Sequence, residues 1–229
     1  MNQYNHIVKL NNNVTLEPAL LAIGKPYKND KPSKELLSKI VKVYKHESCA
    51  EHIVFNFDIT GISRAVLQEL ARHRIGSFTV ESTRFCLKKI LKNYKEDVER
   101  EVNEYTQDEI YDKEFETVHK IISKYCSYNI EGKTENQKWG MVIALMSSLN
   151  NLLSLSEEGL SNDELKPFIP EALRTTLCWT VNLRALNNFL QLRTDPHAFH
   201  EMRMLALEVQ KVAKETEAGF LVYDDNLKE

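Results

Sequence analysis

The hydrophobic period of this chain changes within a few residues of Gly61, and that change constrains the fold more than any other feature. In Ile53–Thr60 (IVFNFDIT), Phe55, Phe57 and Ile59 alternate with Asn56, Asp58 and Thr60, which predicts a strand with one buried face ending at Gly61. From Ile62 onward Val66, Leu67, Leu70 and Ala71 recur at helical spacing, and the predicted helix runs straight into Arg72-His73-Arg74. A cationic triplet therefore stands where a helix stops.

The same reasoning predicts the remaining elements. Leu36, Leu37, Ile40, Val41 and Tyr44 give an amphipathic helix over 33–45 that starts at Pro32-Ser33. Residues 92–125 are highly charged with embedded apolar positions and predict one long or two shorter surface helices. A loop at 133–137, a more apolar helix from Trp139 to Leu155 and a break at 156–163 follow. Residues 175–181 (TTLCWTV) are β-branched and aromatic, hence a strand. Asn182 is placed to cap the next helix, LRALNNFLQLR, and a last helix covers about Pro196 to Glu217. Mixed α/β (α+β) architecture, with long helices flanking an antiparallel or mixed sheet, is expected, in a single domain spanning 1–229.

Composition narrows the chemistry. A formal net charge of -3 gives no overall attraction to nucleic acid or anionic membrane, so a phosphate ligand must be held locally. Cys49, Cys86, Cys126 and Cys178 have neither zinc-ribbon nor disulfide-scaffold spacing and read as reduced thiols. No run approaches the roughly 18 uninterrupted apolar residues of a membrane helix, and the polar start lacks a signal-peptide core, so a soluble, cytoplasmic protein is expected. The seven glycines are dispersed without a G-x-G-x-x-G fingerprint, which argues against a Rossmann crevice.

Arg72 to Arg84 concentrates arginines, a histidine and hydroxyl side chains. Guanidinium forks match phosphate oxygens, and hydroxyls with backbone amides at an irregular turn complete an anion cradle. A solvated basic helix end, with arginines paired to Glu69 and Glu81, is the plainer reading of the same residue types.

The order of residues is more specific. Arg-His-Arg, seven residues, Ser82 and then Arg84 resembles the signature of the flavin-dependent thymidylate synthase family. Upstream, His46-Glu47-Ser48 and Glu51-His52 leading into IVFNF, and downstream, Trp179-Thr180-Val181-Asn182-Leu183-Arg184, Asn188, Leu192-Arg193 and His197, look like the family's other two blocks. The likeness covers about 45–215, and a variable helical insertion is expected at about 88–160.

That resemblance implies the family's fold, a homotetramer with shared sites, and methylation of dUMP to dTMP. FAD would be reduced by NADPH, methylenetetrahydrofolate would supply the carbon, and no metal, nucleic acid or membrane would be needed. It also implies residue roles. His46, Ser48, Arg72, His73, Arg74, Asn182, Arg184, Asn188 and His197 would hold FAD. Glu69, Arg72, Glu81, Ser82, Thr83, Arg84, Lys166 and Arg193 would hold dUMP, with Arg193 as the catalytic group. An arginine keeps its proton, so its role would be to stabilise negative charge developing on the uracil. Cys86 is not required as a nucleophile, since reduced flavin is the hydride donor.

Four departures from the family pattern stand out: Glu69 replaces a frequent glutamine, Thr79-Val80 an Asn-Glu, Phe85 a tyrosine and Lys166 an arginine. Arg174 and Glu81 are candidate compensations for the last and for the missing carboxylate at 80. Two other function classes stay open on the residues alone. One is a non-catalytic nucleotide- or RNA-binding protein that uses the arginine turn, and the other a metal-dependent hydrolase built on His197, His200 and Glu201.

Overall fold

The computed structural model describes residues 4–102 and 115–224. Its chain divides into two compact units, one formed by residues up to 62, 66–80 and from 176 onward, the other by 63–65 and 81–175.

The first unit is organised by a four-stranded sheet. Strands β1 (Ile7–Leu10), β2 (Val54–Ser63), β3 (Ser77–Val80) and β4 (Arg174–Asn182) lie in the order β1-β2-β4-β3, with β1 antiparallel to β2 and β3 antiparallel to β4. The alternation read in the sequence is realised, since Phe55, Phe57 and Ile59 are wholly buried while Asn56, Asp58 and Thr60 are half-buried. Strand β4 alternates in the same way, burying Leu177, Trp179 and Val181. The strand does not stop at Gly61. That residue takes φ +87°, a conformation open to glycine, and the chain continues extended to Ser63 before the helix begins.

Helices α1 (Glu17–Gly24), α2 (Lys34–Ser38) and α3 (Arg64–Leu70) belong to the first two-thirds of the elements. Ser33 caps α2 by accepting from the amide of Leu36, and the helical run continues as a π-type turn over Lys39–Val43. Helix α3 buries Val66 and Leu70 and leaves Ala71 exposed, because it ends one residue earlier than the apolar spacing suggested.

The second unit is helical: α4 (Thr83–Val102), α5 (Phe115–Tyr125), α6 (Glu135–Glu157) and α7 (Asn162–Leu165). Its core gathers Leu87, Leu91, Tyr94, Ile121, Ile122, Met146 and Leu149. The segment at 133–137 is not a loop throughout. Thr134 and Gln137 form a capping box, so α6 starts at Glu135. By length and composition α6 could cross a membrane, the one such helix among the described residues, and its Val142, Met146, Leu149 and Leu152 are buried in this unit's core. Burial pushes the Cys126 thiol up to about 12, consistent with an inert core cysteine.

Helices α8 (Leu183–Arg193) and α9 (His200–Lys214) complete the first unit. Asn182 caps α8 as predicted, accepting from the amide of Ala185 at 2.9 Å. The amide of Leu183 donates to the carbonyl of Ile53 at 2.8 Å, which ties the start of α8 to the start of β2.

Gly76 joins the arginine turn to β3, and a Cβ added there would meet Trp179 Nε1 at 2.7 Å and the Thr180 carbonyl at 3.1 Å. Backbone and a buried indole cannot both retreat. Gly76→Ala is expected to destabilise the protein by about 1–3 kcal/mol, the usual cost of overpacking. Urea unfolding measures this, and an unchanged midpoint would contradict the close approach.

Candidate active site

A groove of about 1290 Å3 runs across the first unit, lined among others by Arg72, His73, Arg74, Asn182, Arg184, Asn188 and Arg193. The arginine turn and α8 are thus brought to one surface although more than a hundred residues separate them in sequence. The reason is the sheet. Phe57 packs on Trp179 at 5.7 Å, Trp179 on Phe189 at 5.0 Å, and Phe189 on the His73 ring at 5.0 Å in an edge-to-face arrangement. Each ring comes from a different element, so burial of this row sets the turn against the helix.

Arg193, in the last turn of α8, donates from Nε to His73 Nε2 at 3.1 Å and from Nη1 to Glu69 Oε2 at 3.0 Å. An arginine has no acceptor, so His73 must present a lone pair at Nε2 and carry its proton on Nδ1. Burial, and then the charges of Arg193 and Arg72, lower the pKa of His73 below its ordinary value. The imidazole is therefore neutral when the site is assembled.

Further along the groove Arg184 is held by Glu51 at 2.6 Å and by Glu47 at 3.5 Å, which raises its pKa. Both acidic residues lie on the short 3-10 turn Glu47–His52. Sequence reading missed them as groove residues because it weighted His46 and Ser48 of the same turn. Those two are exposed, and the groove takes its lining from Glu47 and Glu51 instead. His197 is likewise not brought to the groove; its ring is 96% exposed and pairs with Asp195 at 3.0 Å.

The C-terminal segment also lines the groove, through Leu221, Val222, Tyr223 and Asp224. Asn187 anchors it, donating to the Leu221 carbonyl at 3.0 Å and accepting from the Tyr223 amide at 2.8 Å. A loop-like run with no periodicity gave no sign of this. The amide-bearing Asn187, beside the predicted Asn188, was the available clue.

In the second unit, Glu81 and Ser82 are exposed, Thr83 is buried, and Thr83-Arg84 open α4 instead of lying in a turn. Asn162 donates to the Arg84 carbonyl at 2.8 Å and accepts from the Lys88 amide at 3.1 Å. This pins the start of α4 to the start of α7. Arg84 is also paired to Asp163 at 3.1 Å, and Lys166 follows directly on α7. Cys86 is half-buried nearby.

The residues of the metal hypothesis go elsewhere. Glu201 is buried against His6 at 3.2 Å, and His200 Nδ1 meets the Tyr4 hydroxyl at 2.9 Å. Among the described residues no three His, Cys, Asp or Glu side chains form a group able to hold a metal ion.

Comparison with known proteins places the chain in a family. The model of the thymidylate synthase complementing protein family matches residues 10–216. The chain belongs to the flavin-dependent thymidylate synthase family. It is 37% identical over 173 residues to the flavin-dependent thymidylate synthase of Wolinella succinogenes, covering 76% of this chain and 72% of the relative. The Helicobacter pylori enzyme is 35% identical over 174 residues, covering 76% and 73%. A crystal structure of thymidylate synthase X from Helicobacter pylori with FAD and dUMP superposes with a TM-score of 0.77 at 28% identity, over 98% of this chain and all of that one. Membership in this enzyme family leaves the binding-only reading without support.

Because the native site favours neutral His73, its stability contribution is present above the ordinary histidine pKa of about 6.5 and is lost as pH falls through the lowered native value. Histidine NMR should show a Nδ1-protonated His73 titrating below 6.5. A Nε2-protonated ring at neutral pH, or a raised pKa, would contradict the contact with Arg193.

Proposed function

We propose that the protein binds FAD along the groove of the first unit and methylates dUMP to dTMP, with methylenetetrahydrofolate as carbon donor and NADPH as reductant. The observation that carries this reading is the convergence of the Arg72-His73-Arg74 turn with the Asn182–Arg193 segment on one groove.

The residues fit a flavin dinucleotide. The groove, at about 1290 Å3, exceeds the roughly 300–1,000 Å3 typical of drug-sized ligands. Arg72, Arg74, Arg184, Lys42 and Lys45 supply cationic donors for a pyrophosphate without a glycine-rich loop. Ile75 and Leu192, both exposed, offer apolar surface for ring systems. Reduced FAD would supply the hydride there.

Within that arrangement, Arg72, His73 and Arg74 bind and orient the cofactor, helped by Asn182, Arg184 and Asn188, and His46, Ser48 and His197 are assigned to it from the family's pattern. Arg193 touches the uracil ring. Its fixed positive charge stabilises the negative charge that develops on the base as the new carbon bond forms, and no proton needs to leave the guanidinium. Ser82, Thr83 and Arg84 bind the nucleotide through hydroxyl and guanidinium donors. Lys166 adds a point charge where the family has a fork, and Glu81 completes the nucleotide set. Glu69, assigned to that set from the family's pattern, bonds Arg193. Sites shared across a homotetramer would accommodate nucleotide and folate together, in a soluble cytoplasmic enzyme.

Purified protein with FAD is expected to oxidise NADPH and form dTMP only when both dUMP and methylenetetrahydrofolate are present. In that assay Arg193→Ala should lower kcat by about 10²–10³-fold, the usual effect of removing one charge-stabilising donor, while flavin absorbance is retained. Turnover at the parent rate would remove Arg193 from the chemistry, and protein that neither binds FAD nor forms dTMP would end the reading.

A further inference from the structure

The Arg193 guanidinium is held by one acceptor on α3 and another on the turn that follows it, whereas both partners of Arg184 lie on a single turn. Glu69 lies in the last turn of α3, whose Val66 and Leu70 are wholly buried, so its backbone is fixed. His73 lies on the turn after α3 and is seated edge-on against Phe189 of α8. Bonds to Nη1 and Nε, at 3.0 Å and 3.1 Å, fix a planar guanidinium in both position and orientation. They engage two of its five N–H donors and leave the others for a ligand. The Arg193 side chain is 23% exposed, so it is held at the groove wall and not extended into solvent.

From this geometry we infer that Glu69 is a positioning residue that acts through Arg193: with His73 it clamps the guanidinium in its working orientation before substrate arrives. The inference rests on the role given to Arg193 above and extends it to residues that need not touch the nucleotide. Two consequences separate a clamp from direct substrate binding by Glu69. Removing the carboxylate should matter only while Arg193 is present, because two groups that act as one unit are not additive. An acceptor oxygen, charged or not, should preserve the clamp, because the bond at Nη1 asks only for a lone pair.

The test uses the FAD-loaded protein and dUMP as probe, with Glu69→Ala, Glu69→Gln, Arg193→Ala and the double variant Glu69→Ala/Arg193→Ala. Glu69→Ala is expected to weaken dUMP binding about tenfold in the parent and less than twofold in the Arg193→Ala background. Glu69→Gln should stay within about threefold of the parent. Retained flavin absorbance in each variant reports that the groove is intact. An equal loss in both backgrounds, or none in either, overturns the clamp.

A second readout needs no substrate. Relaxation of the Arg193 15Nε signal should show a more mobile side chain in Glu69→Ala and restored order in Glu69→Gln. Unchanged order in Glu69→Ala also overturns the inference. Parent protein that does not bind dUMP, but shows the expected change in Arg193 order, would sink the functional reading while sustaining the clamp.

Discussion

Everything at the groove depends on one row of rings, three buried and the last half-buried. Phe57 of β2, Trp179 of β4, Phe189 of α8 and His73 of the arginine turn touch in sequence, each within 5.0–5.7 Å of the next. Rings of this size bury large apolar areas, and the two edge-to-face pairs, Trp179–Phe189 and Phe189–His73, add about 0.5–1.5 kcal/mol each. The apolar drive that closes the core thereby also delivers His73 to Arg193. A polar substitution at Phe57 or Phe189 would loosen the site without touching any residue that meets a ligand.

Electrostatics then works on what packing has placed. The groove gathers Arg72, Arg74, Arg184 and Arg193, a density of positive charge that a net-acidic chain has to contain. Containment is local. Glu47 and Glu51 pair with Arg184, and Glu69 with Arg193, while burial, and then the charges of Arg193 and Arg72, hold the pKa of His73 below its ordinary value. The charge of Arg184 remains available to an anionic ligand because its pairs are exposed, where water screens them, and Arg193 keeps further N–H donors beside those that its two partners engage.

Much of this was legible in the sequence where a physical period was long enough to read. The alternation of Phe55, Phe57 and Ile59 and the cap at Asn182 both appear in the structure as expected, and the turn from Arg72 meets the helix from Asn182 as the family resemblance implied. What escaped was short or lacked periodicity. Strands β1 and β3 are four residues each at the sheet edges, and half of each is exposed, so neither shows a convincing alternation. Gly61 marks a bend and not an end, since its positive φ lets the strand turn and go on. The anchoring of residues 221–224 by Asn187 is a side-chain-to-backbone contact that composition does not announce.

The central claim is that the arginine turn and α8 form the two walls of one flavin site. A crystal structure of the protein soaked with FAD and dUMP tests it directly. The account predicts density for the dinucleotide along the groove between Arg72–Ile75 and Asn182–Arg193, with the uracil ring in reach of the Arg193 guanidinium. Flavin density elsewhere in the protein, with that groove filled only by solvent, would contradict it.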